Sequence, residues 1–170
     1  MYDSILYPTD GSAGSEAAAA HVRELASAFD ARVHALHVIE AYEGGLGLSG
    51  AFDDGESQAM SGRSPTGGYL SGHEDSPEID DLEAEFTERA EALLETSTES
   101  FDGLDLTTAV EVGVPHSVIL EYADDHDVDL VVMGTHGRTG VERYLLGSVA
   151  EKVVRLADQP VVTVRPDGDE

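Results

Sequence analysis

The chain has 170 residues, enough for one compact domain with a substantial core and too few for two ordinary ones. Its 35 acidic and 9 basic residues give a formal net charge of -26, which excludes nucleic acid and anionic membrane as natural partners, since a polyanion meets repulsion instead of a counterion-releasing basic surface. Without cysteine there is no disulfide or thiolate chemistry, and no apolar run approaches the roughly 20 residues of a membrane span, so a cytoplasmic address is expected. Acids spread along helical segments fit a salt-rich cytoplasm, where a Debye length of about 3 Å at ~1 M would screen the self-repulsion. An acidic mesophilic protein with an acidic tail is the alternative.

Ile5-Leu6-Tyr7 running into Pro8-Thr9-Asp10-Gly11-Ser12 reads as a short buried strand ending in a turn. Ala18, Val22, Leu25 and Phe29 recur at helical spacing after a cap at Ser12 or Ser15, and Val33 to Ile39 is a second strand. This is a β-α-β unit, whose natural pairing is parallel. From 42 to 75 the composition turns to Gly, Ser, Asp and Pro without periodicity, predicting an insertion loop that is either a tolerated excursion or a lid or partner-binding segment. Ser76-Pro77-Glu78 then opens a helix with Ile79, Leu82, Phe86, Ala90, Leu93 and Leu94 on one face.

Leu106 to Val112 reads as a third strand, Pro115 to Asp125 as a helix, and Leu130 to Met133 as a fully apolar fourth strand. An irregular glycine-rich passage leads to Gly147. Ser148 to Ala157 is a last helix with Val149, Ala150, Val153 and Ala157 inward, and Pro160 to Val164 a fifth strand. The alternation specifies one α/β domain over 1–170, built on a parallel sheet. Its terminal strand, 160–164, suits a sheet edge that pairs with a second copy to form a homodimer.

Two clusters fall at strand carboxyl ends, where open α/β sheets bind ligands. Pro8, Thr9, Asp10 and Gly11 follow the first strand; Gly134, Thr135, His136 and Gly137 follow the fourth. With strand order 3-2-1-4-5 these tips are neighbours. Glycines at 134, 137 and 140 allow positive φ and close approach, so that N–H groups face an anion, and Gly147-Ser148 opens a helix whose free N–H groups favour phosphate. From 130 to 166 five basic residues face three acidic ones, a local charge of +2 that leaves -28 on the rest, so this is the part able to receive a small anion. Asp10 suits either a ribose or a local Asx turn, and Val38 and Met133 either a flat base or the core. His136 is either a phosphate contact or a loop histidine bonded to backbone, and His34 and His37 fall on opposite faces of a strand.

The run Gly134-Thr135-His136-Gly137 followed by Gly147-Ser148 has the spacing G-x2-G-x9-G-[S/T], and with Pro8-Thr9-Asp10-Gly11-Ser12, His37-Val38 and Pro160-Val161-Val162-Thr163-Val164 it resembles the universal stress protein family. The resemblance implies an open five-stranded parallel sheet in the order 3-2-1-4-5 with helices on both faces, a bound adenine nucleotide (ATP, or ADP or AMP, with or without Mg²⁺), and a homodimer through 160–164. It further implies that Asp10 meets the ribose, that Pro8, Thr9 and Val38 border the adenine, and that Met133 and Gly134 touch base and ribose. Gly137, Arg138, Gly147, Ser148 and Val149 would hold the phosphates. A nucleotide-dependent stress-response or signalling dimer acting on a protein partner is the leading expectation. A slow ATPase or phosphotransferase, or a dimeric scaffold without nucleotide, are the alternatives; no group marks a water-activating base, and no G-x4-G-K-[ST] loop is present.

Overall fold

A computed structural model of the chain describes residues 1–42, 45–46, 77–136 and 146–166, with residues 41–42, 45–46 and 77–83 described by backbone alone. Most of the 42–75 segment and the Ser76 cap lie outside the described residues. The elements are β1 (Ser4–Pro8), α1 (Ala13–Phe29), β2 (Arg32–Tyr42), β3 (Gly45–Leu46), α2 (Pro77–Thr98), a 3-10 turn (Glu99–Phe101), β4 (Leu106–Gly113), α3 (Pro115–Asp125), β5 (Leu130–Gly134), α4 (Ser148–Leu156) and β6 (Val161–Val164).

The parallel strands lie in the order β4-β2-β1-β5-β6, the expected 3-2-1-4-5 when the parallel strands alone are counted. Two details differ from expectation. Strand β2 continues past Ile39 because its ladder with β4 persists to the Glu40↔Gly113 pair, and β3 folds back antiparallel on its end through Ala41↔Leu46 and Tyr42↔Gly45.

Alternation along each strand builds two cores, one per sheet face. Ile5, Tyr7, Val33, Ala35, Leu130 and Val132 pack with α1, α2 and Phe101. Leu6, Leu36, Val131 and Met133 pack with Ile119, Tyr122 and Ala123 of α3 and Ala150 and Val153 of α4. Helix α1 starts where the Ser12 hydroxyl accepts the Ser15 N–H at 3.3 Å, and ends at Asp30 in the left-handed region (φ 55°). Its Phe29 falls outside the core: at 39% exposed it instead packs edge-on against Tyr2, with ring centroids 5.2 Å apart. The buried Tyr7 hydroxyl donates to the Ser15 carbonyl at 2.8 Å, tying α1 to β1, and burial raises its pKa so that it keeps its proton.

Candidate nucleotide site

The carboxyl ends of β1, β2 and β5 lie side by side at the centre of the sheet, where strand order reverses. At the β1 tip Pro8 and Thr9 are buried and Asp10 is half-buried. Gly11 turns the chain with φ +71°, a conformation that favours glycine, and the Ser12 N–H donates to Asp10 Oδ1 at 3.0 Å. The Asx turn is therefore real, but it engages only one carboxylate oxygen.

Val38, Met133 and Val149 all belong to the core cluster on the α3/α4 face. Alternation from Leu6 places Pro8 on the same side. Of the four residues assigned to an adenine or its edge, Pro8, Val38 and Met133 thus share one face at adjacent strand ends, half-buried in the case of Val38 and buried for Met133 and Pro8, whereas the Thr9 hydroxyl turns to Ser97 of α2 on the opposite face.

Gly134 does not take the positive φ that the glycine pattern allows. It is the last residue of β5, paired with Val164, and it is not among the described glycines at positive φ. What excludes a side chain there is helix α1: a Cβ at Gly134 would lie 2.5 Å from the carbonyl carbon of Gly14. Beyond it, the Thr135 N–H donates to the Val164 carbonyl at 2.8 Å, and the Thr135 carbonyl accepts the Gly147 N–H at 2.7 Å. This last bond joins the two halves of the glycine motif. Gly137, Arg138 and Gly140 lie outside the described residues.

Helix α4 starts at Gly147 without a side-chain cap, and its first helical bond runs from the Glu151 N–H to the Gly147 carbonyl at 2.9 Å. The N–H groups of Ser148, Val149 and Ala150 precede that bond and so lack helical acceptors. They sit at the positive end of the helix dipole beside an exposed Ser148 hydroxyl, a donor set suited to phosphate.

His136 ties the clusters together through its backbone, since the Ser12 hydroxyl donates to its carbonyl at 3.3 Å. Among the described residues its ring bonds a side chain instead of backbone: Nδ1 lies 2.8 Å from the Thr135 hydroxyl, and the buried Nε2 has no partner. A hydrogen-bonded path therefore runs from Asp10 through Ser12, His136 and Thr135 to Gly147 and connects the ribose candidate to the phosphate candidate. His34 and His37 take opposite faces, as strand geometry requires. His34 contacts the Tyr122 hydroxyl of α3 at 3.1 Å, whereas His37 reaches the Thr9 carbonyl at 2.8 Å.

Three residues near the site have no site role in the sequence reading. His37 and Ser97 bond Thr9, and Leu93 packs against Gly11. Alternation in β2 does place His37 opposite Val38, but nothing local marks Ser97 on an acid-rich helix. Among the described residues no group of three or more His, Asp or Glu side chains gathers to hold a metal ion, and no helix is long and apolar enough to cross a membrane.

The model of the universal stress protein family matches residues 1–165. Universal stress protein MJ0577 of Methanocaldococcus jannaschii is 32% identical over 178 aligned residues, covering 97% of this chain and 96% of the relative. MJ0531 of the same organism is 34% identical, covering 97% and 83% respectively. The solved structure of MJ0577 superposes with a TM-score of 0.74 over 99% of both chains. A universal stress protein crystallised in complex with cAMP shares the fold at a TM-score of 0.63 and 22% identity, covering 98% of this chain and 99% of its own. The match along 1–165, joined to the 3-2-1-4-5 sheet, establishes that this chain belongs to the universal stress protein family.

Proposed function

We propose that the protein binds ATP, or the related ADP or AMP, in the crevice between the β1 turn and the start of α4. The carrying observation is the hydrogen-bonded path from Asp10 to Gly147, which links a carboxylate suited to ribose hydroxyls to a helix start whose first N–H groups lack helical acceptors. Pro8, Thr9, Val38 and Met133 would border the base. Gly134 ends the strand that carries the motif, and Gly137, Arg138, Gly147, Ser148 and Val149 would receive phosphates, with Mg²⁺ carried in on the nucleotide if it is present. The fold relative crystallised with cAMP supports an adenine ligand for this type of crevice.

In this reading the protein is a nucleotide-dependent stress-response or signalling protein of a salt-rich cytoplasm, its occupancy read by a protein partner. It acts as a homodimer through Val161–Val164, because β6 is a sheet edge and Val154, Leu156 and Val162 beside it are 44%, 53% and 36% exposed. Isothermal titration calorimetry in molar salt tests the binding: saturable heat with ATP on a monodisperse dimer supports the reading, and no heat with ATP, ADP or AMP rejects it.

A further inference from the structure

Thr9 is held from two directions by groups outside its own turn. Its N–H donates to the Leu36 carbonyl at 2.9 Å, and its carbonyl, which can only accept, lies 2.8 Å from His37 Nδ1, so that nitrogen carries the proton. From the other side its hydroxyl donates to Ser97 Oγ of α2 at 3.2 Å while accepting the Gly11 N–H at 3.3 Å. Leu93, one helical turn before Ser97, closes over Gly11 so tightly that a Cβ there would sit 3.2 Å from Leu93 Cδ1. Thr9 is 5% exposed.

Among the described residues the Ser12 N–H is the one hydrogen-bond anchor of the Asp10 carboxylate, and the direction of that carboxylate follows from how Thr9 and Gly11 are held on either side. We infer that His37 and Ser97 are positioning residues for the nucleoside end of the crevice: they fix Thr9, and thereby aim Asp10 at the ribose. The inference rests on the adenine-nucleotide reading above. It makes α2 a structural neighbour of the ligand without touching it, and assigns selectivity for ribose hydroxyls to three elements, β1, β2 and α2, instead of to Asp10 alone.

The test compares the affinity of ATP with that of 2′,3′-dideoxy-ATP, which lacks the hydroxyls that Asp10 would accept. In the unaltered protein ATP is expected to bind more tightly, by about fivefold for one well-placed hydrogen bond. The preference should collapse toward one in Ser97→Ala and His37→Val, as in Asp10→Asn. It should survive in Ser97→Thr, which keeps the hydroxyl, and in His37→Asn, whose amide N–H takes the place of Nδ1. Melting temperatures report folding separately. Retention of the preference in Ser97→Ala and His37→Val overturns the positioning role, as does an equal weakening of both nucleotides. An unaltered protein that binds ATP without preference removes the ribose role of Asp10, and one that binds neither nucleotide removes the nucleotide reading itself.

Discussion

Gly134 at the end of β5 and Gly14 in the first turn of α1 are in backbone contact, with the position of a Cβ on Gly134 only 2.5 Å from the Gly14 carbonyl carbon and 2.8 Å from its oxygen. Gly14 is confined from the same connection, since a Cβ on it would meet the His136 carbonyl oxygen at 2.6 Å. These partners are backbone, which has no rotamer with which to yield. Gly134→Ala is therefore expected to destabilise the fold by about 1–3 kcal/mol even without nucleotide. Urea denaturation at fixed high salt checks this; an unchanged midpoint would return Gly134 to a purely ligand-facing role.

Ser12 serves two elements at once, accepting from the Ser15 N–H as the cap of α1 and donating to the His136 carbonyl. Its replacement by alanine is expected to cost about 1 kcal/mol through the lost cap. The β5–α4 connection should loosen as well, seen as faster amide exchange at Gly147, whose N–H bonds Thr135. Exchange at Gly147 that matches the unaltered protein would show that Ser12 is only a cap.

How much of this was legible beforehand depended on whether the cause was local. Pro115 at the first helical position and the polar run after Ala123 mark α3 closely, and the structure has it at Pro115–Asp125. The polar Glu40 hides the continuation of β2, because that continuation follows from pairing with β4. At the candidate site, Asp10, Val38 and Met133 could be placed at neighbouring strand ends from the sequence, where the structure has them. The constraint on Gly134 could not, because it comes from Gly14 on another element, and Ser97 acts through a tertiary hydrogen bond that leaves no periodicity in its helix.

His34 provides a pH dependence away from the crevice. Its pKa is lowered, first by burial and then by His126 and Arg32, with Asp105 opposing. With the folded value below the unfolded one, the unfolded chain takes up the proton first as pH falls. Stability linked to His34 should be intact above about pH 6.5 and decline below it until the folded value is passed. Melting temperatures measured from pH 8 to pH 5 should drop less in His34→Gln than in the unaltered protein. Parallel curves would contradict this assignment.

Gly147 adopts φ -60° and ψ 158°, which any residue tolerates, so Gly147→Val leaves the backbone unstrained. Loss of a favourable N-cap residue should cost no more than about 1 kcal/mol. Its side chain would crowd the approach to the first N–H groups of α4, and ATP affinity should fall by at least about tenfold, or 1.4 kcal/mol. Calorimetry beside a melting curve separates the two effects. Undiminished ATP binding would show that phosphates do not use this helix start.

The most direct measurement is a crystal structure of the protein grown with saturating ATP. The expected result is a ribose hydroxyl within hydrogen-bonding distance of the Asp10 carboxylate, the adenine against Val38 and Met133, and phosphate oxygens on the N–H groups of Ser148 and Val149. A crevice that stays empty, or a nucleotide bound elsewhere on the chain, would contradict it.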